Sequence, residues 1–294
     1  MSKTKDFLNN FSKTLASKLQ STNGKWDCIF KRGSMPFNAS TNKRYIGINW
    51  LMLNYETEQK EYSKPIFSSY KQWASLKGQV KKGSKGTPIV FYRPIMQPSK
   101  IDPSKEVNAG CILNSSKVFN IDQVDLTESK YKPDEFKSGK QYSIDQIDTF
   151  VKATKVEIKN SAGHGCYYSP SQDFINMELK TNFKDTKESN ATIHYYSTLF
   201  HELAHSSGHE KRTNRIKTNL NKFGSHTTEY AFEELVAEIG RILLGHQFNI
   251  EKTVRDNHSK YLNSWIKALK DDYTLIATAF AQAQKAVDYF VSTK

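Results

Sequence analysis

The chain has 294 residues, 37% hydrophobic and 25% charged, with 17 Phe and 15 Tyr, which excludes a disordered chain and supplies enough apolar surface for one large core or two ordinary ones. Its net charge of +13 is unevenly spread: residues 1–130 hold 21 Lys and Arg against 10 Asp and Glu, or +11, whereas residues 131–294 hold only +2. No apolar run reaches the roughly 18 residues of a membrane span, and Met1–Lys13 lacks the apolar stretch of a secretory signal, so a cytoplasmic protein with no membrane partner is expected.

Taken in chain order, Phe7, Leu8, Phe11, Leu15 and Leu19 recur at spacings of three and four and predict an amphipathic helix over 5–20. A basic, turn-rich stretch runs from Asn23 to Arg44. Residues 45–55 and 68–77 are apolar segments expected to form short helices. Thr87–Arg93 reads as a strand entered from the Gly/Lys turn Lys81–Gly86. From Pro94 to Lys140 the chain is polar and marked by prolines, and no regular element is assigned there. A boundary near 130–142 separates a first domain, 1–135, from a second, 142–294.

Ser143 is placed to cap a helix over 144–154. Val156–Ile158, Cys166–Tyr168 and Phe174–Met177 predict short strands, and helical patterns follow over 191–209, 227–246, 255–270 and 273–291. Strands first and helices afterwards is an α+β order. The expected architecture is therefore a two-domain α+β protein: a basic mixed N-terminal domain, then a small sheet followed by helices. Cys28, Cys111 and Cys166 are odd in number and far apart, which suits free thiols in a reducing compartment.

The most specific pattern is His201-Glu202-Leu203-Ala204-His205, flanked by the helix-periodic Ile193, Tyr196, Leu199 and Phe200. Histidines at i and i+4 share one helix face, so both imidazoles can reach one ion. Glu202 is turned by about 100° from His201. It cannot easily join the same coordination plane, but it can act as acid/base on water that a zinc ion acidifies.

A catalytic zinc needs a third protein ligand. Glu233-Glu234-Leu-Val-Ala-Glu238 lies in a helix whose apolar stripe is Phe232, Leu235, Val236, Ile239 and Leu243. Glu234 and Glu238, at i and i+4, suit one ligand and one carboxylate that holds a histidine N–H. Glu233 points elsewhere on this wheel and is expected in solvent. His209 competes as a third imidazole. The three-histidine zinc proteases, however, place theirs ten residues after the first, where this chain has Lys211, and Gly208 is expected to end the helix. His209 is therefore assigned to the turn or to a supporting role behind the ligands. Tyr230, His226 and His209 remain candidates for stabilising an oxyanion.

In the first half, Lys31-Arg32, Lys43-Arg44, Lys81-Lys82 and Lys85 interleave with Trp26, Phe30, Phe37, Tyr45, Trp50, Tyr70, Trp73 and Tyr92. Cations neutralise phosphates and aromatic faces stack unpaired bases, so the mixture suits single-stranded nucleic acid better than duplex.

These blocks together resemble the ArdC-type antirestriction proteins of plasmids and phages. The N-terminal likeness is carried by Pro36-Phe-Asn38, Thr41-Asn-Lys43-Arg44-Tyr45-Ile-Gly47-Ile48-Asn49, Trp73, Gly78-Gln-Val80-Lys-Lys82-Gly83-Ser-Lys85-Gly86 and Val118-Phe119-Asn120-Ile-Asp122-Gln123. The C-terminal likeness is carried by Tyr167-Tyr168-Ser169-Pro170, Asp173-Phe-Ile175-Asn-Met177, Thr198-Leu-Phe-His201-Glu202-Leu-Ala-His205-Ser-Ser-Gly208-His209 and Tyr230-Ala-Phe-Glu233-Glu234-Leu-Val-Ala-Glu238. The family's paired Pro-Trp dipeptides are missing, and Lys25-Trp26-Asp27-Cys28 stands in that stretch.

The resemblance implies an N-terminal domain that binds single-stranded DNA, with Lys43, Arg44, Tyr45, Asn49, Trp73, Lys81, Lys82 and Lys85 as its candidate contacts. It also implies a zincin-like metallopeptidase domain with His201, His205 and Glu234 as ligands of Zn2+ (or of Mn2+ or another divalent metal) and Glu202 as the catalytic residue. Shielding of incoming plasmid or phage DNA from host restriction is the function implied. A host restriction protein or another peptide is the corresponding protein substrate. Two alternatives stay open: a non-catalytic DNA-coating protein whose metal is structural, and a metalloprotease acting on a host regulatory protein. A metal-dependent nuclease is disfavoured, because phosphodiester enzymes commonly use two metals and carboxylate-rich ligand sets.

Overall fold

The computed structural model describes residues 3–22, 35–98, 106–132, 142–186, 189–216, 228–248, 250 and 259–292. The chain forms two units: Met1–Asn10 with Met35–Phe136, and Phe11–Ser34 with Lys137–Lys294. No helix among the described residues is long and apolar enough to cross a membrane.

In the first unit, β1 (Phe37–Asn38), β2 (Ile66–Ser69), β4 (Thr87–Pro98) and β5 (Glu106–Asn120) form one sheet in the order β1-β2-β5-β4, and β3 (Gln79–Val80) pairs with β6 (Val124–Asp125). The helices are α2 (Ile48–Gln59) and α3 (Tyr70–Ser75). A strand reading of Thr87–Arg93 holds and extends to Pro98, but β5 falls in the stretch assigned no regular element. Its sequence, Glu106 to Asn120, alternates poorly. Pairing with β4 from Thr87↔Val118 to Pro98↔Glu106 supplies the order that periodicity does not.

The core gathers Phe37, Ile66, Trp73, Val80, Ile121 and Val124, and a second cluster holds Leu53, Phe67 and Val118. Local chemistry fixes the parts. Ser69 caps α3 with Gln72 in a reciprocal capping box, and Asn120 does the same with Gln123 at the end of β5.

The second unit contains most of helix α1 (Lys3–Ser21), whose Ser12 hydroxyl donates to the Leu269 carbonyl at 2.6 Å. Next come α4 (Ile144–Ala153), begun by a Ser143/Gln146 capping box as expected, and a sheet ordered β7 (Glu157–Asn160), β9 (Phe174–Met177), β8 (Tyr167–Ser169). β7 runs parallel to β9, and β8 antiparallel.

Helices α5 (Ala191–Ser206), α6 (Thr228–Phe248), α7 (Ser259–Asp271) and α8 (Tyr273–Ser292) follow, within a few residues of the predicted spans. α6 is buried along its length, with Leu235, Val236, Ala237 and Ile239 at 0% exposure. Trp265 of α7 donates its indole N–H to the Ala231 carbonyl at 2.7 Å and ties the start of α6 down.

Gly240 decides how closely α6 approaches α5. A Cβ there would lie 2.7 Å from the Ala204 Cβ, inside van der Waals contact. Ala204 sits between the two histidines of the motif, so this close crossing sets their distance from the carboxylates of α6.

Candidate metal centre and nucleic-acid face

α5 starts where Asn190 accepts a hydrogen bond from the Ile193 amide, and it carries His201, Glu202 and His205 in its last turns. His201 is 4% exposed and Glu202 5%. Nε2 of His201 and Nε2 of His205 are 3.1 Å apart. Glu234 of α6 places Oε2 at 3.4 Å from the first and Oε1 at 3.5 Å from the second.

A tetrahedral ion with bonds of about 2.0–2.1 Å separates its ligand atoms by about 3.3–3.4 Å. The separation of the two Nε2 atoms is close to that edge, and the Glu234 carboxylate approaches each ring through a different oxygen at 3.4 and 3.5 Å. The donor chemistry agrees, since two imidazole lone pairs and a carboxylate facing one point repel unless a cation or a proton sits among them. Among the described residues these three bring their donor atoms within 4.8 Å of one another. The residues fit a divalent metal ion.

Behind each histidine lies a carboxylate that an arginine holds, hydrogen-bonded to the ring at His205 but not at His201. Nδ1 of His205 is 3.1 Å from Oε1 of Glu233. Arg215 grips Glu233 through Nε at 2.8 Å and Nη2 at 2.7 Å and also donates to the Ala204 carbonyl and the Ser207 hydroxyl. Nδ1 of His201 lies 3.5 Å from Oε2 of Glu238, a looser contact. Arg241 binds Glu238 at 2.6–3.0 Å and reaches Ser197 at 3.0 Å.

Glu238 is buried behind His201, at 1% exposure. Glu233 is not in solvent as expected: it is 6% exposed, because α6 has no wet face at that level and Arg215 arrives from the preceding loop to meet it. Burial disfavours charge on these groups, but their partners outweigh it. The Glu234 charge and the bonds from Glu233 and Glu234 lift His205 to about 10, Arg215 holds Glu233 below the ordinary carboxylate range, and the two histidines hold Glu234 below it. A divalent ion held by His201, His205 and Glu234 would compete with protons for the same donor atoms.

His209 is a turn residue. Its Nδ1 lies 3.5 Å from Asp173 and accepts from the Lys211 amide, and among the described residues it meets neither ligand side chain. The helix ends at Ser206, just before Gly208, and glycine at 208 leaves room for Ile216, which a Cβ there would meet at 2.5 Å. Asp173 instead collects Arg212, the Tyr168 hydroxyl and His209, joining the loop after α5 to β8 and β9. Burial and the Asp173 contact push the Tyr168 phenol far above its usual value. Tyr230 lies in α6, and His226 lies outside the described residues.

The candidate DNA contacts divide into two groups. Lys43, Arg44, Lys81, Lys82 and Lys85 are exposed. Trp73 must be withdrawn as a stacking residue: it is 0% exposed, and its indole N–H donates to the Phe119 carbonyl at 2.9 Å. Tyr45 and Asn49 are also engaged within the fold. The Tyr45 hydroxyl accepts from Asn38, and burial raises its phenol to about 12; the Asn49 amide exchanges two hydrogen bonds with the Val90 backbone at 2.7 and 2.8 Å. Trp26 and Cys28 lie outside the described residues, and the Cys166 sulfur accepts from the Glu178 amide at 3.3 Å.

Sequence reasoning missed Arg215 and Arg241. Arg241 is three residues from Glu238, an ion-pair spacing on a helix that could have flagged it. Arg215 follows an irregular turn and carries no periodic signal.

Residues 5–144 match the family described as the N-terminal domain of anti-restriction factor ArdC, and residues 145–282 match a zincin-like metallopeptidase family. The fold is similar to the crystal structure of the antirestriction ArdC protein from the R388 plasmid in its Mn(II)-bound form, with a TM-score of 0.77 and 31% identity over 97% of both chains. The metal-free form gives 0.76 and 30%, over 98% of this chain and 97% of that one. A DNA primase TraC of Escherichia coli is 30% identical over 311 aligned residues; the match takes in 99% of this chain but only 20% of the primase.

Proposed function

The chain belongs to the ArdC antirestriction family, and on that premise we propose that it binds single-stranded DNA through its first domain, residues 1–135, and carries a zinc metallopeptidase-type site in its second, residues 142–294. Together these would protect incoming plasmid or phage DNA from host restriction in the cytoplasm. The observation that carries the enzymatic part is the convergence of the His201 and His205 Nε2 atoms, 3.1 Å apart, with the Glu234 carboxylate within 3.5 Å of each.

A divalent ion held there supplies Lewis acidity toward a carbonyl oxygen and toward water. Glu202 accepts a proton from the attacking water and returns it to the leaving amine, which is why a carboxylate beside the first histidine is needed. Glu233 and Glu238 keep the imidazoles oriented with their Nε2 lone pairs toward the ion. On the DNA side the reading rests on the exposed Lys43, Arg44, Lys81, Lys82 and Lys85, which can neutralise phosphates.

The test is Glu202→Gln, assayed on a mixed peptide library and in a restriction-challenge transfer assay. Peptide cleavage is expected to fall by a factor on the order of 10²–10⁴ with metal content unchanged. Full activity in the variant would remove Glu202 from the chemistry. Cleavage lost but protection intact would assign antirestriction to DNA coverage alone.

A further inference from the structure

One cleft in the first unit places Tyr70, Gln79, Phe119 and Asp125, which no role above uses, beside the candidate contacts Lys81 and Lys82. It is an open cleft of about 640 Å³ with Val80 in its lining. Its aromatic wall is Tyr70 and Phe119, with ring centroids 6.4 Å apart and planes at 74°. In that edge-to-face pair Tyr70 remains 51% exposed, which leaves part of its ring open to a partner.

The ring is also held in place. Tyr70 follows the capping residue Ser69 at the start of α3, and Gln79 Nε2 donates to its hydroxyl at 3.3 Å. The rim opposite is the turn Lys81–Ser84, closed by the Ser84 amide on the Lys81 carbonyl at 3.1 Å, with Gly83 at φ +85°, a conformation that favours glycine. Lys81 Nζ is tethered to the Asp122 carbonyl at 2.9 Å, whereas Lys82 has no ion pair among the described residues.

Asp125 completes the lining. Its Oδ1 accepts from the Thr127 amide and hydroxyl at 3.0 and 2.7 Å, and no donor to its Oδ2 is found among the described residues. A site for a free anion has no use for a carboxylate or for an exposed aromatic face. A nucleotide has use for all three features: a π-face for Tyr70, amino donors for Asp125 and Gln79, and a phosphate for Lys82.

We propose that this cleft takes one unpaired nucleotide of the bound strand, its base stacked on Tyr70 beside Phe119 and its phosphate at the Lys81–Lys82 rim. The assignment rests on the first domain being a single-stranded-DNA binder and names the subsite that makes it prefer a strand with bases.

The experiment measures fluorescence anisotropy of the full chain with two labelled twelve-nucleotide strands, one of mixed sequence and one wholly abasic. The wild type is expected to prefer the base-bearing strand by on the order of tenfold. Tyr70→Ala should lose most of that preference while its affinity for the abasic strand holds, and Tyr70→Phe should keep the preference. If Tyr70→Ala retains it, or if the wild type binds both strands equally, the cleft is not the base site and only electrostatic strand binding survives. If neither strand binds, the single-stranded-DNA reading falls and the subsite with it.

Discussion

The two units handle charge in opposite ways. Around the metal centre the arginines, carboxylates and imidazoles are buried and paired: Arg215 with Glu233 and His205, Arg241 with Glu238 and His201, at side-chain exposures of 12% or less. In the first unit Lys43, Lys82 and Lys85 stand in solvent without an ion pair among the described residues. Buried, paired charge orients ligands and tolerates little change, whereas exposed, unpaired charge is available to a polyanion and costs the fold little to lose.

The comparison breaks most readily at Glu233. Glu233→Gln leaves Arg215 buried beside a neutral group, a loss on the order of 3–5 kcal/mol. The same loosening of His205 lowers metal affinity by about 10–100-fold. Urea titration and metal-competition titration read the two effects. A stability and affinity equal to the wild type would mean that the Arg–Glu–His arrangement does no orienting.

A smaller effect is expected at Gly240, where a methyl group would meet Ala204 at 2.7 Å. Gly240→Ala should push α6 from α5, destabilise the second unit by about 1–3 kcal/mol and weaken metal binding, because the two helices carry opposite halves of the ligand set. An unchanged urea midpoint would show that α5 and α6 can part there without cost.

The smallest effect on stability is expected from neutralising Lys81, Lys82 and Lys85 together. The urea midpoint should stay in place while the salt dependence of single-strand affinity falls by a slope of about 2, at about 0.7 per phosphate contact. Salt dependence identical to the wild type would remove these lysines from the interface, and a large drop in stability would erase the contrast between the units.

The difference between the units also explains what could be read in advance. The candidate metal cluster was legible in part from spacing, which puts His201 and His205 a helical turn apart, whereas the choice of Glu234 over Glu238 as their carboxylate partner came from the family resemblance. Glu233 was misplaced because a helical wheel assigns it a solvent side, and only the burial of α6 among its neighbours removes that side. Arg215 reaches the site through a turn that no period describes.

In the first unit the requirement is looser, since any cation and any exposed ring can serve, and sequence does not separate a stacking ring from a packed one. Trp73 and Tyr70 are three residues apart on the same short helix, yet the first is sealed in the core and the second is half exposed. The helix boundaries and the C-terminal strands followed from capping residues and apolar periodicity. β5 did not, because its order comes from pairing with β4 rather than from its own pattern.

The central claim is that three donor atoms from two helices form a metal site. Its most direct test is the metal content of purified wild-type protein beside His205→Ala and Glu234→Ala, measured by inductively coupled plasma mass spectrometry after dialysis against a weak chelator. The account predicts close to one divalent ion per wild-type chain and less than about a tenth of that in either variant, since a coordination shell that loses one of three protein ligands holds its ion poorly. Equal metal in all three proteins, or none in the wild type after incubation with zinc or manganese, would contradict it.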